Sequence, residues 1–344
     1  DSKADLMNYP VTYLIVAATA LNGNAKLNEF IAWKKAKGFN VIVNYVATTA
    51  TISANDTWVE TQYNSLSPKP SFVLLVGDAD GTYAVQAKLD PALGSTGNVC
   101  GSDLMYGVIG ATGSSNRIPS MYVGRMSVRA TADLTAQVDK TIWYEKGQFL
   151  VGTPDLNYLT APIGTAGYDT GYGTSHGNPQ IYYGWTYYFN AAHGMANAVP
   201  YYYPDSGTTT SEANIITGVS NGTNFYNYTA HGCNTGFQDP EFYGVNTAGK
   251  TNDIAVLTNS NKYGLIVGNC CLTGSFTNNS DTSPDYGGYD YCFGEQLLVA
   301  ANKGAIGYIG ASMSTYWDED LTMGVGSNVE GIAQPPLDQS KPGM

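Results

Sequence analysis

NFYNYTAHG (224–232) and GLIVGNCC (264–271) are short apolar runs of strand composition, and each runs into a residue suited to acyl-transfer chemistry, His231 and Cys271. Between them, the segment near 247–257 carries a helical period. A strand, a crossover helix and a second strand make a unit in which the two strands lie parallel and adjacent. Ligands of open parallel sheets bind outside the carboxyl ends of the strands. His231 and Cys271 both sit at such ends, so the pattern predicts that they are neighbours. A thiol beside an imidazole is the minimal apparatus for acyl transfer, because the base makes the thiolate and later protonates the leaving amine.

The same alternation extends in both directions. Upstream, strands are expected at VTYLIVAAT (11–19), FNVIVNYV (39–46), SFVLLVGDADG (71–81) and MYVGRMSV (121–128), with helices at 24–38, around 53–66 and at 131–147. VGTPDLN (151–157) reads as a linker, after which the pattern restarts with strand YLTAPIG, a Tyr-rich helix near 181–193, strand AVPYYYP and a helix at 211–220. A helix at 293–303 and strand AIGYIGAS (305–312) follow the Cys271 strand. The expected fold class is therefore α/β. Two mostly parallel-sheet subdomains lie side by side, residues 1–152 without the chemistry and 153–344 with it.

Composition narrows the partners. A net charge of −12 over 344 residues leaves no basic patch to neutralise phosphates, which excludes a nucleic-acid partner. No apolar run approaches the roughly 18 residues of a membrane span. Charged residues are only 13% while Gly (40) and Tyr (27) abound, a balance common in extracellular bacterial proteins. If the protein is secreted, its signal has already been removed, because DSKADLMNYP has no basic n-region or apolar h-region. The cysteines Cys100, Cys233, Cys270, Cys271 and Cys292 are odd in number and offer no C-x-x-C pair, so at least one thiol is expected to be free. Cys270 should be buried on its strand and Cys271 should face the opposite way. Of the other histidines, His193 before Gly194 is expected at a helix end, and His176 in an exposed loop.

The blocks YTAHG, GNCC, FGE, GAIGYIGAS and YWDED, with FIAWKKAKGF, LVGDAD and the GRMS…YEKG region, resemble the gingipain-type peptidases, caspase-like cysteine endopeptidases. The lysine-specific pattern is the nearest. The resemblance implies a caspase-like α/β/α sandwich, Cys271 as nucleophile, His231 as base and Asp169, within IGTAGYDTGYG, as the acid that orients the base. It implies an oxyanion hole from the N–H groups of Gly232 and Cys271, and a substrate pocket involving Asn269, Trp317 and Asp320. Thr229, two residues before His231 and so on the same strand face, is expected to line that pocket with its hydroxyl. A single carboxylate with a nearby hydroxyl suits the compact ammonium of Lys, whereas Arg favours a planar bidentate partner. Protein or peptide substrates with a basic P1 residue are thus expected, for a protein secreted or displayed on a bacterial surface.

No cofactor is required for this chemistry. The family's calcium loop has no acidic counterpart in YGVIGATGSSNRIP (106–119), although Asp78, Asp80, Asp103 and Glu295 remain weak candidates for a structural calcium or sodium ion. The loop TGSFTNNSDTSPDYGGYDYC (273–292), with Asp281, Asp285 and Asp290, is either a solvated surface loop or a flap attracting basic substrates. A sortase-like transpeptidase needs the same dyad, and a catalytically silent adhesin would keep only the fold.

Overall fold

The computed structural model describes residues 10–90, 100–110, 118–152, 155–246, 250–277, 289–327, 329–341 and 343. The chain forms two compact units, Asp1–Ile142 and Trp143–Met344, which divide ahead of the linker expected at 151–157.

In the first unit, β1 (Thr12–Ala18), β2 (Asn40–Val46), β3 (Phe72–Val76) and β6 (Tyr122–Met126) build a parallel sheet in the order β2-β1-β3-β6. Leu14, Ile15, Val16 and Ala17 on the central β1 are wholly buried, as a strand covered on both faces requires. The intervening helices are α1 (Ala25–Ala36), α2 (Ile52–Ser65) and α3 (Thr131–Glu145). Asn24 caps α1 by accepting the N–H groups of Lys26 and Leu27, and Thr51 caps α2 through Ala54. A short antiparallel pair, β4 (Lys88–Asp90) with β5 (Cys100–Ser102), lies between β3 and β6 in sequence.

The second unit repeats the plan with one more strand. Its parallel sheet runs β14-β13-β9-β7-β8, from β7 (Ile163–Ala166), β8 (Val199–Tyr201), β9 (Phe225–Thr229), β13 (Leu265–Asn269) and β14 (Gly307–Gly310). Chain order proceeds outward from β7 to β8 on one side and from β9 to β14 on the other. Right-handed crossovers therefore put the helices before and after the reversal on opposite faces. These helices are α4 (Asn178–Tyr187), α5 (Thr209–Asn221), α6 (Asp253–Val256) and α7 (Phe293–Val299). The core under the sheet gathers Tyr226, Tyr228, Phe237, Phe242, Ile266 and Phe293.

The expected α/β class with parallel sheets is what the chain adopts, and the departures are local. Strand YLTAPIG starts only at Ile163 because Asn157–Thr160 winds into a 3-10 turn. The Tyr-rich helix begins earlier than expected, at Asn178 with Pro179 in its first turn, where the missing N–H costs nothing. The helix expected near 247–257 is, among the described residues, the single turn α6. Besides the β4–β5 pair of the first unit, two elements of the second unit had no counterpart in the sequence reading. One is an antiparallel meander of β10 (Gly232–Cys233), β11 (Gly236–Gln238) and β12 (Glu241–Tyr243), and the other is α8 (Trp317–Val325).

Ile266, 1% exposed at the centre of the second sheet, tests this core. Ile266→Ala should lower unfolding stability by about 2–5 kcal/mol, read as a shift of the urea midpoint at constant slope.

Candidate active site

The strand registers set the site. Thr229 of β9 pairs with Ala166 of β7 on one side and with Asn269 of β13 on the other, so three carboxyl ends finish level. Asp169, His231 and Cys271 each follow one of these ends by two or three residues. The reversal of strand order falls between β7 and β9, where a parallel sheet opens its crevice.

His231 Nε2 lies 2.6 Å from Asp169 Oδ2. The carboxylate accepts, so Nε2 carries the proton and Nδ1 is left as the basic nitrogen of the ring. The other oxygen, Asp169 Oδ1, accepts the N–H groups of Gly171 (2.7 Å) and Tyr172 (2.6 Å). Burial pushes the Asp169 carboxyl up, but the Tyr172 N–H, the His231 contact and the Gly171 N–H together hold it below the usual carboxylate range. The acid is thus anionic and rigid, while the imidazole it orients remains 47% exposed.

Cys270 and Cys271 diverge as their strand alternation requires. Cys270 is fully buried with its sulfur 3.6 Å from Thr273 Oγ1, and burial pushes its thiol well above the ordinary range. Cys271 is half-buried, whereas Cys233 and Cys292 are buried, so it is the accessible thiol among the described side chains. Leu272 directly after it takes φ 62°, a left-handed conformation that a leucine adopts only when its surroundings enforce it. The enforcing bonds run from Leu272 N–H to Met313 O (3.0 Å) and from Gly274 N–H to Ala311 O (2.8 Å). On the same side, Thr315 N–H donates to Cys271 Sγ at 3.3 Å.

Gly232 stands opposite Phe237 in the β10–β11 pair, and Gln238 N–H donates to His231 O. That bond makes Gly232–Phe237 a non-hydrogen-bonded pair, in which the glycine N–H points away from β11. A Cβ at Gly232 would lie 2.6 Å from Cys270 Sγ and 2.7 Å from Cys271 O, so a side chain has no room there.

The residues expected to form the substrate pocket are placed unequally. Trp317, in the first turn of α8, meets His231 edge to face at 5.8 Å and stacks on Tyr172 at 5.6 Å. Asp320 lies one turn further on, 7% exposed, and accepts the Thr315 hydroxyl at 2.8 Å. Burial raises its carboxyl to about 6, with the Thr315 hydrogen bond pulling down and Glu319 pushing up. The Thr229 hydroxyl is fully buried and accepts Gln180 Nε2 (2.9 Å), while Asn269 Nδ2 donates to Gln180 Oε1 and to Asp320 O (both 2.8 Å). Gln180 on α4 therefore ties Thr229 to Asn269, and Asn269 carries the connection on to Asp320. A glutamine inside a helix carries no sequence signal for such a role, and neither does Tyr172.

Other expectations need correction or placement. His176 is not exposed. It is buried within the turn Gly173–Gly177, accepting the Ser175 hydroxyl at Nδ1 and donating from Nε2 to Asp318. His193 is exposed beside Gly194 at the end of a 3-10 turn, as a helix-end residue would be. Cys233 is packed, its sulfur 3.2 Å from Thr235 Oγ1. The acids weighed for an ion are otherwise engaged. Arg125 grips both oxygens of Asp103, Arg129 joins Asp78 to Asp80, and Glu295 accepts Cys292 N–H at the start of α7. The guanidinium groups of Arg125 and Arg129 thus already partner Asp103, Asp78 and Asp80, and compete with any cation for those carboxylates. Asp281 and Asp285 lie outside the described residues, as do most of the stretch 106–119 beyond Gly110 and the side chain of Cys100.

Residues 7–333 match the sequence profile of Peptidase family C25. The chain is 34% identical over 348 residues to Lys-gingipain W83 of Porphyromonas gingivalis, an alignment covering 98% of this chain and 18% of that protein's length. It is 26% identical to Gingipain R2 of the same organism, over 92% of this chain and 40% of that protein. Among solved structures, one described as a protease superposes with TM-score 0.77 at 32% identity, covering 95% of this chain and 65% of the other. The Arg-specific cysteine proteinase gingipain R superposes with TM-score 0.71 at 24% identity, a likeness of fold, over 92% of this chain and 66% of the other. A profile match across nearly all of the chain, on a fold that carries a thiol and an imidazole on level strand ends, places the chain in Peptidase family C25.

Proposed function

We propose that the protein is a cysteine endopeptidase that cleaves after a P1 lysine, with Cys271 as nucleophile and His231 as base. The observation that supports this reading is the level register of β7, β9 and β13, whose carboxyl ends lead within two or three residues to Asp169, His231 and Cys271. His231 Nδ1 takes the thiol proton, Sγ attacks the scissile carbonyl, and the imidazolium returns the proton to the leaving amine. A water then follows the same route to release the acid from the thioester. Asp169 keeps the imidazole in the required tautomer and stabilises the imidazolium. The N–H groups of Gly232 and Cys271 receive the oxyanion, a role favoured by the outward direction of the Gly232 N–H.

For P1 selection, a buried carboxylate beside an aromatic wall favours a cation on a long apolar stem. Asp320 supplies the charge and Trp317 the wall. A lone carboxylate backed by a hydroxyl suits ammonium better than guanidinium, and the likeness to Lys-gingipain agrees. The charge-poor, hydroxyl-rich composition supports secretion or surface display, and among the described residues no helix is long and apolar enough to cross a membrane.

Fluorogenic peptides ending in P1 Lys, Arg and Ala test the reading directly. Lys turnover should dominate, and Cys271→Ala should lower it by about a thousandfold or more. Folded wild-type protein that cleaves none of the three would refute the assignment, and transfer of the acyl group to an added amine would mark a transpeptidase. Gly232→Ala should cost about a hundredfold or more in kcat, with smaller change in KM, because it disturbs the oxyanion site and crowds Cys271. Since a cation prefers the ionised form of Asp320, competitive inhibition by n-butylammonium should weaken as pH falls through about 6. An inhibition constant that is flat from pH 5 to about 7 would remove Asp320 from the pocket.

A further inference from the structure

Thr315 touches the two halves of the site at once. Its backbone N–H donates to Cys271 Sγ at 3.3 Å, and its hydroxyl donates to Asp320 Oδ2 at 2.8 Å. The hydroxyl oxygen itself lies 3.8 Å from the same sulfur. The segment that carries it is pinned upstream, where Met313 O and Ala311 O take the N–H groups of Leu272 and Gly274. Downstream, Asp320 N–H donates to Tyr316 O as α8 begins. Between these anchors the Thr315 hydroxyl ties the segment to Asp320, and the Thr315 carbonyl lies 3.8 Å from Cys271 Sγ. Removing the hydroxyl removes the side-chain tether that holds this peptide from the Asp320 side.

We infer that Thr315 is a positioning residue that couples the P1 pocket to the nucleophile: its hydroxyl bond to Asp320 aims its N–H at the Cys271 sulfur, where that N–H stabilises the thiolate. The inference rests on the reading of Cys271 as nucleophile and Asp320 as pocket acid, and adds a residue that the pocket and the dyad share. A hydrogen bond from an amide to a thiolate is charge-assisted and stronger than one to a thiol, so it favours ionisation of the sulfur. The tether also accounts for part of the acid's own balance, since the same hydroxyl pulls the Asp320 carboxyl down against burial. Besides His231, the titratable neighbours that bear on these two groups are Cys270, next to Cys271 and electrostatically coupled to Asp320, and Glu319 beside Asp320.

The test uses the near-isosteric Thr315→Val, which removes the hydroxyl and keeps the backbone, with Thr315→Ser as the variant that restores it. The rate of Cys271 alkylation by iodoacetamide, followed by mass spectrometry against pH, reports the thiolate without any substrate. Thr315→Val should move the midpoint of that profile upward by half a pH unit or more, a roughly threefold loss of thiolate below the midpoint. It should also lower kcat on a P1-Lys peptide about tenfold, while KM changes less than about threefold. Thr315→Ser should return both towards wild type. In an Asp320→Ala background, Thr315→Val should have no further effect on the alkylation profile, because the tether has already lost its acceptor. An unchanged profile in Thr315→Val overturns the inference, and so does an equal shift with and without Asp320. If the profile responds as described but no P1-Lys peptide is cleaved by wild type, the coupling stands and the substrate reading fails. A Thr315→Val protein that does not fold leaves the decision to Thr315→Ser together with Asp320→Ala. Under the inference, Thr315→Ser retains the wild-type midpoint and Asp320→Ala alone moves it upward, against the downward shift that loss of a nearby negative charge would cause.

Discussion

Parallel backbone pairing across β7, β9 and β13 is the constraint on which the site depends. Each strand is fixed to its neighbour by a ladder that tolerates no slip, since a shift of one residue would turn every buried side chain to the other face. Thr229 sits in two ladders at once, and its level partners Ala166 and Asn269 set where the following loops must start. The imidazole and the thiol acquire their spacing from this rigid edge, while the loops add only two or three residues. The short distance from strand to chemistry is what allows an exposed histidine to be held by one carboxylate and still keep a defined orientation.

Much of this was legible in the sequence because it depends on periodicity and on strand ends. Apolar runs such as VTYLIVAAT and GLIVGNCC announce buried strands, and the helix between successive runs announces that they are parallel. Cys270 and Cys271 could be told apart by alternation alone, and burial separates them in the predicted sense. What was not legible depends on contacts between segments far apart in the chain. His176 sits in a loop of glycine, serine and threonine, yet it is buried, with the rings of Tyr172 and Trp317 against it and Asp318, 142 residues later, accepting its hydrogen bond. Gln180 becomes a hub only when α4 lies against β9 and β13. The meander after His231 was missed because its strands are two or three residues long, too short for an alternating pattern to register.

The electrostatics divide the acids of the site by what surrounds them. Asp169 receives two backbone N–H groups and the imidazole, so it stays ionised whatever the occupancy of the crevice. Asp320 receives a single hydroxyl in a buried setting that raises it to about 6, so under the proposed assignment its charge is most fully expressed when a cation arrives. One carboxylate is a fixed support and the other is a responsive one. In the first unit, Asp78 and Asp103 are matched by Arg129 and Arg125 instead, a structural use of the same residue type.

The left-handed backbone at Leu272 has a consequence for how such a protein tolerates improvement. That conformation costs an ordinary residue about 1–2 kcal/mol, which the neighbouring bonds to Met313 and Ala311 must offset. Glycine or asparagine would relax the turn and strengthen the fold, yet it would also loosen the peptide that presents the thiol. Under the proposed role of Cys271, heat resistance and speed of cleavage therefore pull in opposite directions on one peptide unit. Screens that reward thermostability alone would be drawn to this position, and the variants they return would be sturdy and slow.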